Sequence, residues 1–98
     1  MLGISVGRVR GHSMLPRIAP DSFVVAVKWP HCLPKRPGQV YYIDHPRHGH
    51  IVKTLDRIDA EGCRFRGESP DSVSSQAIGV VQHHQIIGRV IWVISADI

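Results

Sequence analysis

No window of this chain repeats its apolar residues at the roughly 3.6-residue spacing over about eleven or more positions, so a core of long amphipathic helices is excluded. Short β-branched runs, separated by turn residues, take their place. Ser5 to Arg10 is closed by Gly11, and Ser22 to Lys28 is apolar on both faces, as a fully covered strand would be. Gly38 to Ile43 and His50 to Ile58 flank a turn over Asp44 to Gly49. Cys63 to Arg66 alternates, with Cys63 and Phe65 inward and Arg64 and Arg66 outward. Ile86 to Ile94 is the last run. Trp29 to Pro37 reads as an irregular loop, Glu68 to Gln76 as a polar one, and a single helical turn fits after Ser13. The expectation is an all-β, compact antiparallel fold with at most short helical turns, forming one domain over residues 1–98.

Composition excludes several classes. A hydrophobic content of 43% with 20% charged residues is globular rather than disordered. The net charge of +4 comes from scattered residues, with no run longer than Lys35-Arg36 and no nucleic-acid-binding motif, so no nucleic-acid partner is expected. The N-terminus lacks the charged leader and apolar core of a signal peptide. The longest apolar stretch is far short of the about 20 residues a membrane span requires, so no transmembrane segment is expected. Peripheral membrane contact through Trp29 and its loop stays open. Cys32 and Cys63 form no disulfide framework, redox motif or zinc spacing, and a reducing, cytoplasmic setting fits them.

Two residues carry candidate chemistry. Ser13, in Gly11-His12-Ser13-Met14-Leu15-Pro16, sits at a corner where a hydroxyl and its own backbone N–H can face one point, as acyl transfer needs. A plain turn serine is the ordinary alternative. Lys53 shares a strand face with Ile51 and Leu55, while His50, Val52, Thr54 and Asp56 take the other. Its stem could lie on the surface with the ammonium in water. Buried instead, it would lose proton affinity and serve as a neutral base for a serine hydroxyl.

Ser13-Met14-Leu15-Pro16 resembles the Ser-Met-x-Pro box of the type I signal peptidase and SOS-repressor peptidase superfamily. Lys53 follows forty residues later, ending an Ile-Val-Lys run like the second box. Gly67-Glu68-Ser69-Pro70 resembles the Gly-Asp-Asn box, Ser74-Ser75-Gln76 with Gly79 the Ser-Asp-Ser-Arg segment, and Ile87-Gly88-Arg89-Val90 the closing Gly-Arg-Val strand. The compact spacing most resembles the nickel superoxide dismutase maturation proteases. The resemblance implies a serine endopeptidase with Ser13 as nucleophile, Lys53 as general base and Ser75 supporting the lysine. It also implies a peptide or protein-precursor substrate held as a strand beside Val9-Arg10 and Ile51-Val52, with small side chains near Leu15 and Ile51. It requires no cofactor. The chain departs from the pattern at Gly11, at Arg17 after the Pro, at Asp21-Ser22 for Gly-Asp, at Thr54 for a basic residue, and at Ser74 and Gln76. A non-catalytic peptide-binding module of this fold, or a self-cleaving repressor-type domain, are the alternatives.

Other features read as structural. The run His45-Pro46-Arg47-His48-Gly49-His50 is expected to be a solvated turn, not a metal site, and His83-His84 an extended pair whose rings point apart. His12 flanks the site. Trp29, Trp92 and Phe23 are expected in core or rim packing. Tyr41 and Tyr42 fall on opposite faces, so at most one is expected to be buried.

Overall fold

The computed structural model describes residues 3–9, 14, 17–28, 35–68 and 78–95. Seven strands occur in chain order: β1 (Ile4–Arg8), β2 (Phe23–Val27), β3 (Val40–His45), β4 (Gly49–Asp59), β5 (Gly62–Arg66), β6 (Val80–Val81) and β7 (Ile86–Ile94). They form one sheet in the order β1-β2-β7-β3-β4-β5-β6, and every neighbouring pair is antiparallel. Helical structure among the described residues is confined to short turns, including a 3-10 turn at His83–Gln85. Ile18 N–H donates to the Met14 carbonyl at 2.9 Å. The all-β expectation holds, and β6 is the strand the sequence did not reveal.

The hairpin β3–β4 organises the sheet. Its three-residue turn, Pro46 to His48, closes on Gly49 at φ +70, a conformation that costs glycine no side-chain clash. Each face of this hairpin carries its own apolar cluster. Val40, Tyr42 and Val52 pack on one face with Val9, Met14, Ile18, Val24 and Ala26. Tyr41, Ile43 and Leu55 pack on the other with Cys63, Phe65, Ile78 and Val81. On the first face Gly7 of β1 lies so near the Tyr42 ring that an added Cβ would sit 2.5 Å from it. The close approach requires glycine there. On the second, Tyr41 and Phe65 meet edge to face at 5.9 Å between ring centres.

This double burial corrects several expectations. Tyr41 and Tyr42 do lie on opposite faces, but both are buried because both faces are covered. β2 is covered on one face only: Val24 and Ala26 are buried, whereas Phe23 is exposed. Trp92 is likewise exposed rather than packed, since nothing described lies over that side of β2 and β7. His45 closes β3 as a buried residue rather than joining a solvated turn. His83 and His84 belong to the 3-10 turn and are not extended. Cys63 and Phe65 are buried and the flanking arginines partly exposed, as their alternation indicated.

Candidate active site

Lys53 sits near the middle of β4, directly across from Tyr41 of β3. Strand alternation puts it on the face of Ile51 and Leu55, where the second apolar cluster covers it to 4% exposure. Its stem is thereby packed rather than laid along the surface. Burial holds its pKa below the ordinary 10.5, because the ammonium loses its hydration. No carboxylate or other hydrogen-bonding side chain among the described residues meets its Nζ.

A second lysine sharpens the point. Burial also lowers the pKa of Lys35, with the negative field of Cys63 opposing. Its Nζ, however, lies against the ring nitrogens of His83. Lys35 has a polar partner; Lys53 has none among the described residues.

The residue after Lys53 faces the other side of β4, toward the first cluster. Thr54 is fully buried and its Oγ1 donates to Glu68 Oε2. The same oxygen faces Arg66 Nη1 at 3.3 Å and Arg17 Nη1 at 3.5 Å. Arg17 also donates to the Gly38 carbonyl at 2.8 Å. The Thr54 hydrogen bond, with Arg66 and Arg17 beside it, holds the Glu68 carboxyl below the usual carboxylate range against the opposing effect of burial. Two of the departures from the superfamily pattern, Arg17 and Thr54, therefore meet at one carboxylate in the box that resembles Gly-Asp-Asn. Through Glu68, the segment just after Ser13 is tied to the residue next to Lys53.

Other departures also acquire a place. Asp21, where the resemblance puts a glycine, adopts φ +64 and pairs with Arg8 at 3.4 Å. Ser22 is fully buried, and its Oγ finds no hydrogen-bond partner among the described residues.

Ser13 and Ser75 lie outside the described residues, as do Arg10 and Leu15. Met14, next to Ser13, is fully buried in the first cluster. Val9 is buried, with its N–H donating to Ser22 O and its carbonyl accepting from Asp21 N, both at 2.8 Å. Both backbone groups of Val9 are thus already taken, contrary to the expected pairing of Val9 with a peptide. Ile51 and Val52 belong to the part of β4 that pairs with β3 alone: β5 is in register only with Thr54 to Asp59. The edge of β4 over residues 49–53 thus carries no partner strand among the described residues.

Sequence reasoning gave no individual role to His45 or Glu68. His45 Nδ1 accepts from the backbone N–H groups of Arg47 and His48 at 3.1 and 3.2 Å. Its Nε2 therefore carries the proton and donates to the Ile78 carbonyl at 2.8 Å. No sequence signal separates this histidine from its neighbours. Glu68 was legible in principle, since a carboxylate in that box offers a partner for the unexpected Arg17. Among the described residues, no group of three or more His, Cys, Asp or Glu could hold a metal ion. Nor is any described helix long and apolar enough to cross a membrane.

No family model matches the chain, and no curated protein matches it.

Proposed function

We propose that the chain is a serine endopeptidase of the Ser–Lys type that removes an N-terminal segment from a protein precursor. The observation that carries this reading is Lys53: a lysine in a strand centre, covered by apolar side chains, without a counter-charge among the described residues. Such an arrangement is costly for stability and useful for a base. In the proposed reaction Lys53 Nζ takes the proton of Ser13 Oγ as the oxygen attacks the peptide carbonyl. The proton passes to the leaving amine. Lys53 then deprotonates the water that hydrolyses the ester, restoring Ser13. The edge of β4 before Lys53, without a partner strand among the described residues, supports binding of the substrate as an added strand. A cytoplasmic setting goes with this reading, in keeping with the free, buried thiol of Cys63.

Reaction with a fluorophosphonate, followed by intact mass, tests the proposal. The wild type gains one adduct and Ser13→Ala gains none. Lys53→Met slows labelling by about 10²-fold or more, the usual contribution of a general base. Labelling of the wild type speeds up with pH as Lys53 loses its proton, with a midpoint below the ordinary lysine value. Peptide binding without any adduct at Ser13 would sink the catalytic reading in favour of a binding module. So would a crystal structure with ordered Ser13 Oγ and Lys53 Nζ about 10 Å apart, against the roughly 2.6–3.2 Å that proton transfer needs.

A further inference from the structure

The edge of β4 that precedes Lys53 can be resolved group by group. Leu55 N–H donates to the Gln39 carbonyl and Leu55 O accepts from Gly38 N–H, both at 2.8 Å, so the backbone groups of Leu55 turn toward β3. Successive residues of a strand turn theirs to alternate sides, and the β3–β4 register runs without a shift from Thr54 to Gly49. Lys53 and Ile51 therefore also turn toward β3. Val52 and His50 turn their N–H and C=O groups to the edge that has no partner strand among the described residues. The side chains of Val52 and His50 share the face of Tyr42 and the first cluster. A strand added to this edge pairs with Val52 and His50, and its side chain opposite His50 falls on that same face.

A carboxylate stands behind that position. Asp44 is directly across from His50, at a pair where the two strands exchange no hydrogen bonds and side chains come closest. Both side chains are exposed, His50 to 60% and Asp44 to 64%. His50 Nε2 lies 3.7 Å from Asp44 Oδ1, and Nδ1 lies 3.3 Å from the Tyr42 hydroxyl. The carboxylate favours the hydrogen of a neutral ring on Nε2, so the Tyr42 O–H donates to Nδ1 and orients the imidazole. Tyr42 is itself buried and set against Gly7 of β1, which makes it a fixed support. The Asp44–His50 contact is an ion pair only while the imidazole is protonated.

We propose that the substrate carries a lysine or arginine that lies beside His50 and reaches the Asp44 carboxylate, three residues along from the one opposite Lys53. The inference rests on the peptidase reading only for the choice of this strand edge. Sign follows from the carboxylate, which keeps its charge when the imidazole is neutral. Length follows from the sheet: Asp44 lies one strand beyond His50, about 10 Å from an added strand at roughly 4.8 Å per strand, so a short side chain falls well short. Arginine can also lay its flat guanidinium on the imidazole face. Arg47, in the adjoining turn, is the cation at this end of the hairpin and opposes the preference in sign.

A defined library of synthetic peptides, digested by the full chain and read by mass spectrometry, tests this. Cleaved peptides should be enriched in Lys and Arg at one position about three residues from the scissile bond, by about three- to fivefold, the scale of a partly exposed ion pair. Raising salt from about 0.05 to about 0.5 M should erase most of the preference. Asp44→Asn should abolish it, Asp44→Lys should turn it toward Asp and Glu, and Arg47→Gln should strengthen it. Thermal melts check that each variant folds, and the salt dependence of the wild type needs no variant. Cleavage without a charge preference at that distance, or with one that neither salt nor the Asp44 variants move, overturns the proposal. Binding of the same library to Ser13→Ala separates this inference from the peptidase reading. A cationic preference in binding, with no cleavage by the wild type, sinks the peptidase and keeps the subsite. Binding without that preference overturns the subsite, and a chain that neither cleaves nor binds any peptide overturns both.

Discussion

His45 and Lys53 lie on the two strands of one hairpin, and each is 4% exposed, yet the protein treats them in opposite ways. His45 has both ring nitrogens engaged, with two backbone N–H groups on Nδ1 and the Ile78 carbonyl on Nε2. It closes the turn and pins the segment that begins at Ile78. Lys53 has no hydrogen-bond partner among the described residues and is held against its own charge by burial. A buried polar group whose capacity is filled contributes to folding, whereas one left unfilled costs stability. Equal burial therefore separates a structural residue from a candidate catalytic one only when the partners are counted.

The largest expected effect would break the structural half of this comparison. His45→Ala removes a buried ring and strands two N–H groups and a carbonyl, so it should destabilise the fold by about 3 kcal/mol or more. Urea denaturation at pH 7 measures it; a loss under about 1 kcal/mol would show that the His45 hydrogen bonds do not hold the turn.

Next in size is Glu68→Gln, which tests whether a filled network also supports the site. It should cost about 1–2 kcal/mol at pH 7, the scale of hydrogen bonds to a charged group. The folded pKa of Glu68 is depressed, so its contribution is present above the unfolded carboxylate value, near about 4.3, and is lost as pH falls through the folded pKa. The difference between wild type and variant should thus shrink in acid. A pH-independent difference would assign the loss to packing instead.

Lys53→Met carries the opposite sign. It keeps the stem, removes the desolvated amine and should stabilise the protein at pH 7 by about 1 kcal/mol or more while slowing Ser13 labelling. The folded pKa of Lys53 is lowered, so the unfolded chain binds the proton more tightly and the cost is full below the folded pKa. The gain in the variant should fade as pH rises and vanish above the unfolded value, about 10.4. Equal stability of the two proteins at pH 6, 8 and 10 would mean that Lys53 is ordinarily solvated.

The smallest effect concerns the other unfilled group. Ser22→Ala deletes the buried, unpartnered Oγ and should be neutral to about 1 kcal/mol stabilising. A clear loss of stability by thermal melting would reveal a partner for that hydroxyl.

Alternation and turn residues in the sequence were enough to determine every strand but the two-residue β6, because side chains on a strand alternate strictly and Gly and Pro punctuate the chain. Ile86–Ile94 is found as read, Cys63 and Phe65 face inward, and Ile51, Lys53 and Leu55 share one face. Alternation says which side chains point together, but not whether anything lies over them. That depends on strand order, which long-range pairing sets: β7 enters between β2 and β3, and the hairpin β3–β4 gains a cluster on each face. Only then are Tyr41, Tyr42 and the stem of Lys53 all buried, and Trp92 left outside. Arg17, Thr54 and Glu68 looked like separate substitutions along the chain, and the fold made them one network because residues distant in sequence close on a single carboxylate. Local pattern thus set each strand and its faces, while burial, and with it the proton affinity of Lys53, is a property of tertiary packing.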